Sequence, residues 1–133
     1  MEAIKKVKYD IRNNSGFSDS LGLLTYLRTY ARRHNQDDPK STIESWEECL
    51  TRVVNACNTQ LKVGFTEQEK KEVFDLFYNL KCLPAGRFLW TLGTDTVSRF
   101  GLSSLQNCCF TIVDTPIEPF TWAMNFLLLG AGV

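Results

Sequence analysis

The sequence predicts an α/β chain: a mainly helical first part leading into turns, one strand and a following helix. Apolar residues recur every three or four positions after Ser and Thr residues placed like helix caps, which is helical patterning. Past Pro84 that period is broken by Gly86, Gly93 and Gly101, and Cys108–Val113 has the β-branched and aromatic content of a buried strand.

Residues Met1 to Ser20 are polar, with Asn13-Asn14-Ser15-Gly16 breaking any pattern, and are expected to form an arm. From Leu21 to Arg33, Leu23, Leu24, Leu27, Tyr30 and Ala31 recur at helical spacing while Arg28, Arg32 and Arg33 take the other face, so an amphipathic helix is predicted. A polar connection, His34 to Lys40, follows. The second helix has two possible capping boxes, Ser41 with Glu44 or Ser45 with Glu48, and a stripe of Trp46, Leu50, Val53, Val54, Cys57 and Leu61. Thr66 and Glu69 open a third helix, with Val73, Phe74, Phe77 and Leu80 as its buried stripe, ending before Pro84. The segment beyond is expected to be turns and strand, with the strand at Cys108–Val113 bounded by Gln106-Asn107 and Asp114-Thr115-Pro116. A last helix from about Pro119 is apolar nearly all round through Trp122, Met124, Phe126, Leu127, Leu128 and Leu129, and such a helix is expected to be buried on most sides.

At 133 residues the chain fits one domain or a piece of one, and an apolar fraction of 44% provides for a core. Lysine plus arginine balance aspartate plus glutamate at 15 each, so no basic field invites nucleic acid. The longest apolar run, Phe120 to Val133, spans about fourteen residues against the roughly twenty a membrane helix needs. Five cysteines, an odd number without a signal-like leader, are read as the thiols of a reduced, cytoplasmic protein.

The cysteines form no Cys-x-x-Cys pair and His34 is the single histidine, so no metal site is expected. His34 reads as a polar residue at a helix end, and Cys49, Cys57 and Cys82 as core filling. In a strand, Cys108 and Cys109 point to opposite faces. Each is open to a structural reading, and Cys108 also to a chemical one. Gly130-Ala131-Gly132 alone is too little for a phosphate loop.

Five ordered blocks cover nearly the whole chain: Leu24-Thr25-Tyr26-Leu27-Arg28-Thr29-Tyr30-Ala31-Arg32; Trp46-Glu47-Glu48 with Arg52-Val53-Val54; Leu83 through Trp90 with Gly93-Thr94; Asn107-Cys108; and Gly130-Ala131-Gly132-Val133. Together they resemble successive N-terminal landmarks of the adenosylcobalamin-dependent ribonucleoside-triphosphate reductases. The resemblance implies a helical N-terminal region at 1–83 and, at 84–133, the first strand and following helix of a ten-stranded α/β barrel, incomplete here. It implies thiyl-radical reduction of ribonucleoside triphosphates, with Cys108 as one member of the reducing pair and its partner elsewhere. It further implies adenosylcobalamin, bound mainly outside these residues, and a thioredoxin-type reductant that restores the pair. The turns at Ala85-Gly86 and at Thr94, with Asn107, resemble segments near the substrate phosphates. The same turns also read as simple connections into the barrel. Cys109 stands where an aromatic residue is common in the family, and is assigned to packing.

The radical cysteine, the partner of Cys108 and a C-terminal shuttle pair are not found among these residues. Ending at Gly130-Ala131-Gly132-Val133, the chain is expected to be cut off at an intein, intron or split-gene junction and to act with a larger C-terminal remainder. A rival expectation is a catalytically inert helical interaction module derived from such an enzyme. A small thiol oxidoreductase is disfavoured, since it needs a local cysteine pair.

Overall fold

The computed structural model describes Gly16, Phe17 and residues 20–133, so the expected arm lies almost wholly outside the described residues. The order is α1 (Ser20–Thr29), α2 (Trp46–Thr59), α3 (Glu67–Tyr78), α4 (Gly86–Thr91), α5 (Asp95–Phe100), a 3₁₀ turn (Leu102–Leu105) and α6 (Glu118–Leu128).

Of the two possible capping boxes before α2, the second forms. The Ser45 hydroxyl accepts the Glu48 N–H at 3.2 Å and the Glu48 carboxylate accepts the Ser45 N–H at 2.7 Å, satisfying two donors that a helix start leaves unpaired. Thr66 and Glu69 do the same for α3. Glu44 is thereby released from capping and is buried instead. It is brought inward because residues 32–44 fold back as a short antiparallel ribbon, with Glu44 N–H donating to Arg32 O at 2.8 Å and His34 N–H to Thr42 O at 3.0 Å. The predicted helix therefore ends at Thr29, short of Arg33.

Trp46, Cys49, Leu50, Val53 and Ala56 of α2 form the centre of the core, with Leu23 and Tyr26 from α1 on one side and Leu89, Leu92, Val97 and Leu105 on the other. Phe74, Phe77 and Tyr78 of α3 pack against its edge. This core takes residues from both sides of position 84. On α1 the buried stripe runs through Tyr26 rather than Leu24, which is exposed. Cys49 is buried and Cys57 half-buried, but Cys82 is exposed. It lies beyond α3, where Leu80 takes a positive φ and the chain turns outward.

Beyond Pro84 the structure departs from the expectation of turns and strand. Glycine spacing there delimits short helices: Gly86 begins α4, while Gly93 at φ +81° and Gly101 at φ +72° adopt the left-handed conformation that ends α4 and α5. Cys108–Val113 is not a strand, and no strand forms among the described residues. Its pairing is limited to a parallel bridge between Cys108 and Gly132. A strand needs a neighbour for its N–H and C=O groups, and the described residues supply one at Gly132. The apolar side chains that follow stand in solvent, Phe110 at 92% and Ile112 at 76% exposure.

Helix α6 forms where expected, with proline in its first turn, but it is not buried on most sides. Phe120, Met124, Leu127 and Leu128 are exposed, and Pro119 is its one buried residue. A helix apolar all round needs a second layer, and the described residues provide none over these positions.

Candidate active-site cleft

The site begins with the placement of α4. Two arginines from the helical region take hold of its C-terminal carbonyls. Arg52 of α2 donates to Leu89 O at 2.9 Å and to Leu92 O, and Arg32 donates to Trp90 O at 2.7 Å. These carbonyls are left unpaired where a helix stops, and cations there also favour the helix dipole. Arg52 is held in turn by Glu44 in a bidentate pair, Nε to Oε1 at 2.7 Å and Nη2 to Oε2 at 2.9 Å. Burial alone would lower the Arg52 pKa, but the hydrogen bonds and charge of Glu44 raise it, so the guanidinium stays charged. The Tyr26 hydroxyl donates to Glu44 O at 3.0 Å and Ser45 O at 2.8 Å, and burial pushes its pKa far up, so it serves as a neutral donor. Cys49 beside them is pushed up to about 12, first by burial and then by the Glu44 charge. It is an unreactive thiol, consistent with core filling.

With α4 so anchored, Gly86 and Arg87 face α1. A Cβ on Gly86 would approach the Tyr30 ring at 3.1 Å, so a small residue allows the close approach. A cleft of about 280 Å³ opens here, lined by Thr29, Tyr30, Gly86, Arg87, Trp90 and Asn107. Gly86 and Asn107, two of the expected substrate-side residues, thus meet in one cleft. Among the described residues Arg87 is the one charged side chain in its lining, so the cleft suits a polar or anionic group. A second cleft, about 640 Å³, lies across Arg87 and Trp90 and adds Arg32, Phe100 and Asn125.

Cys108 follows Asn107 directly and its side chain is exposed. Gly132 lies alongside it, where an added Cβ would be 3.9 Å from the Cys108 sulfur. Cys109 is half-buried. Ala85 is the N-cap of α4 and makes no side-chain capping bond. Thr94 is placed apart from the cleft: its hydroxyl accepts the Thr96 N–H at 3.3 Å and donates to Thr91 O at 2.6 Å, and its carbonyl accepts from Gln60 at 3.0 Å. It caps α5. Among the described residues no cluster of His, Cys, Asp and Glu could hold a metal ion, and no helix is long and apolar enough to cross a membrane.

Glu44, Arg52, Arg87 and Trp90 help build the site without being expected from the sequence as site residues. Arg52, Arg87 and Trp90 lie within the blocks that carry the family resemblance, which was the available signal. Nothing local marked Glu44, because its role depends on the fold-back of residues 32–44.

The family model for the ribonucleotide reductase alpha domain matches residues 3–94, and the chain belongs to that family. Its relatives include the adenosylcobalamin-dependent ribonucleoside-triphosphate reductase of Lactobacillus delbrueckii subsp. bulgaricus, 36% identical over 99% of this chain and 21% of the relative. The enzyme of the same name from Lactobacillus acidophilus is 33% identical over 98% of this chain and 20% of the relative. That of Euglena gracilis is 28% identical over 89% and 18%. The chain thus spans about a fifth of the length of these relatives. No solved structure matches it.

Proposed function

We propose that this chain is the N-terminal part of a ribonucleotide reductase that converts ribonucleoside triphosphates to 2′-deoxyribonucleotides by thiyl-radical chemistry, and that it supplies Cys108 as one cysteine of the reducing pair. The observation that carries this reading is an exposed thiol at Cys108, adjoining Asn107 in the Gly86–Arg87–Trp90 cleft, within a chain aligned almost end to end with reductases of that name. In this reading the N-terminal region is 1–83 and the approach to the barrel is 84–133.

Thiols suit the reaction for a definite reason. Replacing the 2′ hydroxyl by hydrogen breaks a C–O bond, releases water and needs two electrons and two protons. Two cysteines provide both when they become a disulfide, which a thioredoxin-type dithiol then reduces. Serine or alanine at 108 supplies no electrons. Asn107 and Gly86 bind and orient the substrate in this reading, and Ala85 and Thr94 serve the backbone turns on either end of α4. Adenosylcobalamin would supply the radical. Its binding is assigned to the remainder of the enzyme, with which this chain acts in the cytoplasm.

The test is Cys108→Ser in the complete reductase: an intact fold and no turnover with a dithiol reductant are expected. Full turnover would refute the proposal, as would reductase activity from the isolated 133 residues. The exposed face of α6 favours a second reading, an inert module that docks through that helix. Such a module has no need of Cys108, and the same variant separates the two.

A further inference from the structure

We propose that Arg87 is a positioning residue that clasps the two backbone arms around Cys108, an inference that rests on the redox reading of that cysteine. The arms are Asn107–Cys109 and Gly130–Gly132. Two hydrogen bonds join them, Gly132 N–H to Asn107 O and Cys109 N–H to Gly132 O, each 2.8 Å. The bridge between Cys108 and Gly132 is parallel, so the upstream ends of both arms lie on the same side. Arg87 sits at those ends. Its Nη1 donates to Leu129 O at 2.8 Å and Ser104 O at 3.4 Å, and its Nη2 donates to Gly130 O. One guanidinium thus holds the 3₁₀ turn that leads into Asn107 and the end of α6 that leads into Gly132.

The clasp is needed because two backbone hydrogen bonds at an exposed place compete poorly with the chain entropy of keeping two arms together. It also requires arginine. A planar fork can serve several carbonyls at once, whereas a lysine ammonium concentrates its donors on one point. Gly130 is fitted to the fork: it adopts φ +77°, and an added Cβ would lie 2.9 Å from Nη2. Arg87 is itself fixed through α4, whose C-terminal carbonyls Arg52 and Arg32 hold. The buried Glu44–Arg52 pair is in this way connected to the geometry of Cys108.

The experiment compares Arg87→Gln and Arg87→Lys with the unaltered 133-residue chain by amide hydrogen exchange, and then in the complete reductase. The Cys109 and Gly132 amides are expected to exchange about tenfold faster in both variants while the α2 amides keep their protection. In the prereduced complete enzyme, a single turnover without added reductant is expected to slow by about tenfold while the dissociation constant of the nucleotide stays the same. If Arg87→Gln also loosens α2, Gly130→Ala opens the clasp from the other arm, away from the core, and should give the same local signature. Unchanged exchange at Cys109 and Gly132 in Arg87→Gln and Gly130→Ala would overturn the clasp. Faster exchange with an undiminished single turnover would overturn its positioning role. Failure of the redox reading is separate: it appears as retained turnover in Cys108→Ser and leaves the exchange result standing.

Discussion

Around α2 and between residues 110 and 128 the chain uses side chains of the same kind and treats them in opposite ways. Trp46, Leu50, Val53 and Leu92 are withdrawn from solvent, whereas Phe110, Ile117, Phe120 and Leu128 stand in it. The difference is not hydrophobicity but long-range polar anchoring. Tyr26, Glu44 and Arg52 tie backbone separated by up to 40 positions around the first cluster. The second region is attached to the rest chiefly through Arg87 and the bridge at Gly132. One region closes upon itself. The other presents an apolar face of the sort a neighbouring layer would cover.

Breaking the anchoring should have the largest effect. Arg52→Leu leaves the Glu44 carboxylate buried without its partner and releases the carbonyls at the end of α4, and a loss of about 3–5 kcal/mol in urea unfolding is expected. Leu50→Ala, at a position with no solvent exposure, should cost about 2–5 kcal/mol by the same measurement, through lost burial and a cavity. Ser45→Ala removes one capping bond of α2 and should cost about 1 kcal/mol.

Acid should act on the same helix starts. The Ser45 N–H, followed by the nearby His34, holds the Glu48 carboxyl below the ordinary value of 4.5, and the Thr66 N–H does the same for Glu69. A carboxyl that is more acidic when folded contributes stability that is fully present above 4.5 and is lost as pH falls through the lowered folded value. Helicity by circular dichroism should therefore fall along that descent, and more weakly in a Glu48→Gln, Glu69→Gln double variant. The smallest effect is expected in the open region: Leu128→Ser should change stability by no more than about 0.5 kcal/mol. A loss comparable to that of Leu50→Ala would show that α6 is part of the closed core, and would remove the contrast between the two regions.

Legibility in the sequence followed the same division. The starts of α2 and α3 were readable because a capping box is local chemistry, with donor and acceptor three residues apart. The stripe of α2 was readable because helical period is local too. Short helices α4 and α5 are not legible, since six-residue elements show too little periodicity and their glycines read as interruptions rather than as ends. The strand at Cys108–Val113 was inferred from composition, but pairing is supplied by a neighbour and not by the run itself. Of the cleft residues, Gly86 and Asn107 came from the family resemblance. Thr94 came from it as well, and in the structure caps α5.

By itself, then, the sequence determined the family, the three well-signalled helices and the thiol on which the proposed chemistry rests. These depend on residue identity and short spacing. Tertiary structure alone decided that Glu44 turns inward to Arg52, that two arginines hold the end of α4 against α2 and the segment after α1, and that Arg87 reaches from there to the arms around Cys108. The arginine–carbonyl contacts join groups far apart along the chain, and their partners are chosen by burial and by unpaired carbonyls that exist only once the helices have met.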